Sequence, residues 1–294
     1  LELKLYRSAL DEAFATIETA PTYLPLHVQI GDILLQMGNL PDAVTKFLIV
    51  AELYALRGET IHAINLLKRV LYLTPMEFKV HDRLTELLVA EGRVEETLQQ
   101  TVAKADAYYH TAELDMTRQT YRDALRLAQQ SKVDRSWSVK ILYKIADIDL
   151  QSLDLRQALL VFEQIRTLEP EEAKARTQLV NLKFRLGQGS AALTEMDGFV
   201  ALLEHGGKRE AAIQFAKDLL EERPENLAIS KRLADLYLRN GQLELGVKQL
   251  DSIAETLMAA GNREAAITVL NTIVALKPPN AAEYQAALDQ LKSG

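Results

Sequence analysis

The side chains best suited to metal binding or proton transfer are few and scattered along this chain. Its five histidines lie far apart, and no two fall within one or two helical turns of each other. The histidine spacing of a helical metal site is therefore missing. His110 and Glu113 would share a face of a helix and could bind a cation, but a solvated polar pair is the simpler interpretation. The absence of cysteine excludes disulfides, thiolate metal sites and cysteine nucleophiles.

Adjacent glutamates at 95–96, 171–172 and 221–222 are the other candidates for chemistry. Neighbours on a helix point in different directions, so the two carboxylates of such a pair do not converge on one substrate. A glycine-rich turn at 187–189 could hold a phosphate, but its recurrence along the chain favours a helix turn capped by Ser190. The sequence has no serine triad, Walker loop or dinucleotide fingerprint. We predict a protein that is not an enzyme, with no cofactor and no metal.

Composition restricts the classes of partner. Of 294 residues, 48% are hydrophobic and 26% charged, which is enough apolar material for a core. The net charge of −7 argues against nucleic acid binding, because phosphate contacts require clustered Lys and Arg. The most apolar run, 47–56, contains Glu52 and falls short of the roughly 20 residues that span a bilayer. We expect a cytoplasmic protein without membrane insertion.

Five of the eight prolines recur with a fixed spacing. Within each run the interval is 54 residues, and glycines repeat at the same interval, as helix ends require. In the first unit the pattern predicts helices near 25–37, 41–57 and 60–73, and no stretch alternates like a half-buried strand. We therefore predict an all-α chain of about 15 to 16 antiparallel helices. The marking prolines are Pro21, Pro75, Pro170, Pro224 and Pro278.

The repeat changes phase once and starts in the middle of a unit. Between Gln129 and Pro170 the interval is 41 residues instead of 54. We expect one solenoid over 1–294, with sub-blocks 1–130 and 137–294 joined by a looser segment at 130–136, in which Ser136 would cap the next helix. Residues 1–20 resemble the third helix of an earlier unit, and their apolar side chains suggest a fragment of a longer protein, able to self-associate through its unfinished ends: Leu1, Leu3, Leu5, Leu10 and Phe14.

Small residues recur every 12 positions inside the repeat. In the plainest example, Ala146, Ala158 and Pro170 follow this spacing, with Phe162 between the last two. The pattern covers essentially the whole chain and resembles the tetratricopeptide (TPR) family, whose repeats carry small residues and a closing proline at this interval. That family's usual period is about 34 residues, so the 54-residue unit is a departure. The resemblance implies a right-handed α–α superhelix that binds a peptide or helix of a partner protein in its concave groove.

In that family the first helix of each pair lines the groove. Residues one unit apart should stack, Asn181 with Asp235 and Arg185 with Arg239. The cations among the groove residues would form a basic stripe that suits an acidic partner, although ordinary solvated helix faces are the simpler alternative. The resemblance gives ten groove residues: Lys140, Tyr143, Asp147, Lys174, Thr177, Asn181, Arg185, Lys231, Asp235 and Arg239.

Two interpretations remain beside a protein-binding scaffold. The chain could be the effector-sensing or regulatory region of a larger bacterial signalling protein or transcription regulator, with 130–136 as its hinge. It could also assemble with itself through its ends. Trp137, the single tryptophan, either covers the joint between the sub-blocks or belongs to an interface.

Overall fold

A computed structural model of the chain describes residues 2–131 and 133–293. Sixteen α-helices and no strand occur in these residues, which confirms the all-α prediction. The helices are α1 (Glu2–Thr19), α2 (Leu24–Gln36), α3 (Leu40–Leu56), α4 (Thr60–Leu73), α5 (Phe78–Ala90), α6 (Val94–His110), α7 (Leu114–Gln130), α8 (Ser136–Gln151), α9 (Leu155–Leu168), α10 (Ala173–Arg185), α11 (Gly189–His205), α12 (Arg209–Glu222), α13 (Leu227–Arg239), α14 (Leu243–Ala259), α15 (Arg263–Ala275) and α16 (Ala281–Ser293).

The chain divides into two compact units, unit 1 (Leu1–Ile148) and unit 2 (Asp149–Gly294). The segment 130–136 lies at the junction of α7 and α8, and its Lys132 is outside the described residues, so the proposed joint stays a prediction. At the start of α8, the carboxylate of Asp134 accepts a hydrogen bond from the backbone N–H of Ser136, at 2.8 Å. Hydrogen bonds from the Ser136 hydroxyl and backbone lower the pKa of Asp134. Asp134 therefore caps this helix, in place of the expected Ser136.

Most helices end in the same left-handed turn. The seven glycines of these turns have φ between 66° and 78°, in the region that glycine adopts without steric cost. At the first of them, the backbone N–H of Gly38 donates to the Leu35 carbonyl and that of Asn39 to the Leu34 carbonyl, both at 2.9 Å. These bonds satisfy the last carbonyls of α2. The predicted glycine positions are thus the points where the chain reverses.

Leu153 occupies the same turn with a φ of 57° although it is not glycine. A left-handed backbone costs an L-residue with a Cβ atom about 1 kcal/mol, and this side chain is 73% exposed, so it contributes little packing. We expect Leu153→Gly to raise the free energy of unfolding by about 0.5 to 1 kcal/mol in urea denaturation. Leu153→Ala keeps the Cβ atom and should change little. An equal gain in both variants would show that the backbone conformation is not the cause.

Small buried residues hold the helix pairs close together. The alanines predicted at 12-residue spacing are all at most 4% exposed in the structure. In unit 1, the fully buried Phe47 belongs to the same apolar core as Ala51 and Ala63. Close packing of small against large residues explains why the period is visible in the sequence. The alanines are Ala51, Ala63, Ala146, Ala158, Ala254 and Ala266.

Side-chain contacts also join several helices that lie two places apart along the chain. In unit 1, Arg83 on α5 binds Glu52 on α3 through two hydrogen bonds, Nε to Oε1 at 2.8 Å and Nη2 to Oε2 at 2.9 Å. Arg69 on α4 likewise pairs with Asp32 on α2. In unit 1, α3 and α5 therefore lie in one row, and α2 and α4 lie in another.

Unit 2 has the same two-row arrangement. Its odd row contains α9, α11 and α13, and its even row contains α10 and α12. Arg232 on α13 binds Asp197 on α11, with Nε to Oδ1 at 2.6 Å and Nη2 to Oδ2 at 2.8 Å. In the even row, Asn181 on α10 donates to Glu222 on α12. A repeat of three helices therefore places equivalent helices of successive repeats in opposite rows.

Candidate functional site

Three of the ten predicted groove residues line one cleft in unit 2. Lys231, Asp235 and Arg239 lie at four-residue spacing on α13, on the side that faces α11. The cleft between the two helices has a volume of about 660 Å³. Val200 and Leu238 give it apolar lining.

The charges in this cleft differ in how far they are already paired. The Arg232–Asp197 pair is bidentate, and these hydrogen bonds raise the pKa of the Arg232 guanidinium, so it stays charged. Arg239 reaches Glu204 on α11, with Nη1 to Oε2 at 3.1 Å. Within 2–131 and 133–293, Lys231 has no ion-pair partner, and its side chain is exposed. Lys231 is therefore available to a partner without breaking an existing bond.

The four predicted residues on α10 belong to the even row. Lys174 and Arg185 are exposed, and the Thr177 hydroxyl donates to the Ala173 carbonyl of its own helix at 3.0 Å. Asn181 is buried, with 7% exposure; its side-chain amide donates to the Glu222 carboxylate, and its backbone carbonyl accepts from Arg223 Nη2 at 3.2 Å. Asn181 thus holds α10 against α12.

The expected stacking of residues one repeat apart is wrong. Asn181 meets α12, whereas Arg239 on α13 meets α11. The cause is the odd number of helices in a repeat, which moves Asp235 and Arg239 to the row opposite Asn181 and Arg185.

The remaining predicted residues lie on α8 in unit 1. Lys140 and Asp147 are exposed and Tyr143 is partly buried. The ammonium of Lys140 lies 5.3 Å from the ring centroid of Trp137, a cation–π contact one turn apart. These three residues belong to unit 1.

The sequence analysis missed a buried carboxylate in unit 2 that binds three cations. The Glu195 side chain on α11 is 4% exposed and pairs with Arg166 at 2.6 Å, Arg176 at 2.6 Å and Lys183 at 2.7 Å. Burial alone would raise the pKa of Glu195, but hydrogen bonds from Lys183 and Arg176, with the charge of Arg166, lower it overall. Glu195 is therefore ionised at neutral pH, and three elements, α9, α10 and α11, meet at it.

An alignment of the repeats contains a signal for this site. His81 and Gln100 occupy the places of Arg176 and Glu195 in another repeat, and the His81 Nδ1 lies 2.6 Å from the Gln100 amide nitrogen. The Nδ1 atom accepts that bond, so Nε2 carries the proton and donates to the Pro75 carbonyl at 2.8 Å. Burial lowers the pKa of His81, which keeps the ring neutral. His81 therefore has a structural role. Of these two repeats, the one with Arg176 and Glu195 has an ionic pair at these positions, and the one with His81 and Gln100 has a neutral pair.

Other candidate chemistry is not supported by the described geometry. His110 ends α6 and Glu113 precedes α7, so the pair lies on either side of a turn and shares no helix face, contrary to expectation. Among the described residues, no three His, Cys, Asp or Glu side chains group closely enough to hold a metal ion. In the same residues, no helix combines the length and hydropathy needed to cross a bilayer.

Comparisons with known proteins agree with the helical repeat. A family model described as tetratricopeptide repeat matches residues 205–255, which contain α12 and α13. No curated protein matches the sequence. Solved structures similar to the chain include the MamA protein, with 13% identity over 56% of this chain and 94% of that chain and a TM-score of 0.32.

Two further structures cover more of the chain. The Rap conjugation gene regulator of plasmid pLS20, in complex with the Phr* peptide, is 13% identical over 99% of this chain and 75% of that chain, with a TM-score of 0.36. A tetratricopeptide repeat protein from Parabacteroides merdae is 14% identical over 85% and 99%, with a TM-score of 0.31. The family match therefore identifies residues 205–255, which contain α12 and α13, as tetratricopeptide repeat.

Proposed function

We propose that the chain is a non-catalytic scaffold that binds a peptide or helix of a partner protein in the cleft between α11 and α13. The observation that carries this proposal is the convergence of Lys231, Asp235 and Arg239 on one cleft with apolar lining. Apolar contacts supply affinity for a segment of a partner, and the charges on the rim fix its register.

The unpaired cation of the cleft, Lys231, favours an acidic partner segment. The lining of the cleft contains three cations, Lys231, Arg232 and Arg239, and two carboxylates, Asp197 and Asp235. The fixed Arg232–Asp197 pair contributes no net charge, and Arg239 pairs with Glu204, so Lys231 is the cation of this lining that has no ion-pair partner among the described residues. A segment that carries one carboxylate beside an apolar side chain would match both features.

Peptide selection tests this proposal without a known partner. Random peptides displayed on phage are selected against the whole chain, and the dissociation constants of the selected peptides are measured by fluorescence anisotropy. Lys231→Glu should weaken binding about tenfold, because it reverses an unpaired cation in the cleft. The matched control is Arg185→Glu, which makes the same charge change on the even row and should leave affinity within about twofold.

Two results would contradict the proposal. One is a selection that yields no peptide with saturable binding to the folded chain. The other is an equal loss of affinity in Lys231→Glu and Arg185→Glu, because the effect would then depend on net charge and not on the cleft.

A further inference from the structure

Glu195 and the three cations that it binds, here called the Glu195 cluster, line a second cavity. The cavity lies between α9, α10 and α11 and has a volume of about 600 Å³. Its charged lining consists of Arg166, Arg176, Lys183 and Glu195. Three positive charges therefore face one negative charge, and two positive charges remain uncompensated in the lining. Such a surplus in a partly desolvated site favours an anion.

The donors of two of these cations are only partly used. Arg166 binds Glu195 through Nη1 alone, so its Nε and Nη2 are uncommitted, and Lys183 uses one of its three ammonium hydrogens. Across residues 2–131 and 133–293, neither has a second ion-pair partner. Arg176 differs, because its Nε and Nη2 both donate to the Pro170 carbonyl, at 3.1 and 2.9 Å. Arg166 and Lys183 are therefore the residues that could bind a ligand.

The other lining residues leave room for that ligand. Gly198 has no side chain, and a Cβ atom added to it would meet nothing within 4 Å. The Thr194 hydroxyl donates to the Ser190 carbonyl at 3.0 Å, so its proton is already used within α11. Arg166, with 32% exposure, lies nearer to solvent than Lys183, with 12%, so an anion can reach the cavity past Arg166.

We propose that this cavity binds a phosphate group. A phosphate dianion balances both surplus charges, whereas one carboxylate would leave a positive charge uncompensated. Its oxygens can accept from the Arg166 guanidinium and the Lys183 ammonium at the same time. The site uses none of the residues of the peptide-binding cleft, so the two proposals succeed or fail separately.

Titration with inorganic phosphate at constant ionic strength tests the site directly. We expect saturable binding to the whole chain by calorimetry, with a matching rise in melting temperature. Arg166→Gln and Lys183→Gln should each weaken binding at least about tenfold. Because either variant could disturb the Glu195 network, Gly198→Leu provides a second test: it places a branched side chain in the cavity lining, keeps every charge, and should also weaken binding at least about tenfold. Lys231→Gln removes one cation from the other cleft and should bind phosphate as the wild type does.

Further arms identify the source of the phosphate. A phosphoserine peptide that binds more tightly than inorganic phosphate would assign the ligand to a partner protein, and the reverse order would assign it to a free phosphate or small metabolite. Acetate should bind at least about tenfold more weakly than phosphate. The proposal is overturned if phosphate shows no saturable binding, if acetate binds as tightly, or if Arg166→Gln and Gly198→Leu both bind like the wild type.

Discussion

Replacing Glu195 with alanine is expected to lower the free energy of unfolding by about 3 kcal/mol. The wild-type carboxylate is buried and ion-paired with Arg166, Arg176 and Lys183, all within 2.7 Å. Its removal leaves three like charges close together with two of them largely shielded from water. A broken buried ion pair costs more than the pair contributes, because the remaining charges keep their desolvation penalty.

Guanidinium denaturation followed by circular dichroism measures this loss. The matched control is Glu204→Ala, on the same helix, whose partner Arg239 is well exposed; exposed pairs contribute at most about 1 kcal/mol. Similar losses in the two variants would show that burial of Glu195 does not matter energetically.

The Glu195 variant also connects stability with the proposed phosphate site. Glu195→Gln removes the negative charge but keeps the size of the side chain, so the cavity lining then carries three cations and no carboxylate. Added phosphate should therefore raise the melting temperature of Glu195→Gln more than that of the wild type, because the anion replaces the lost charge. A merely structural ion network would give equal shifts in both proteins.

The helices and their turns were predictable because the signals that specify them are local. The first unit was predicted at 25–37, 41–57 and 60–73, and the observed helices are Leu24–Gln36, Leu40–Leu56 and Thr60–Leu73. A left-handed turn requires glycine, and a close contact between helices requires a small residue such as alanine. Each requirement is set by the geometry of one or two helical turns. Both can therefore be recognised without knowing the tertiary structure.

The partner of each exposed or buried polar residue was not predictable in the same way. Asn181 and Asp235 occupy equivalent sequence positions, yet one is buried against α12 and the other is exposed in the cleft with α11. Whether a helix face meets a neighbour or solvent depends on the row to which the helix belongs. That assignment follows from contacts between helices two places apart, which leave no periodic mark on the sequence.

The Glu195 cluster lies between these two cases. Arg176 and Glu195 are 19 residues apart on different helices, a spacing that suggests no interaction in a single repeat. Comparison with His81 and Gln100, which have the same separation, would have indicated a contact. The sequence did not indicate that three cations bind Glu195. Arg166 lies on α9, and Lys183 lies two turns beyond Arg176 on α10, so neither is a sequence neighbour of the carboxylate.

Replacing Phe199 with alanine is expected to destabilise the chain by about 4 kcal/mol. Phe199 is fully buried in unit 2, where its ring meets the Phe215 ring edge-on at a centroid distance of 4.7 Å. The guanidinium of Arg176 lies 5.1 Å from the Phe199 centroid, so the ring also packs beneath the Glu195 cluster. Truncation removes apolar burial, an aromatic pair and a cation–π contact, and it leaves a cavity.

Phe199→Leu separates these contributions in the same denaturation experiment. Leucine keeps most of the apolar volume but neither aromatic contact, so its cost should be about 1.5 kcal/mol, well below that of alanine. Phosphate binding provides a second readout. We expect Phe199→Leu to bind phosphate as the wild type does, because the bonds of Arg176 to Glu195 and Pro170 do not involve the ring. Equal losses for leucine and alanine would mean that the ring's aromatic contacts, and not the volume it fills, stabilise this part of unit 2.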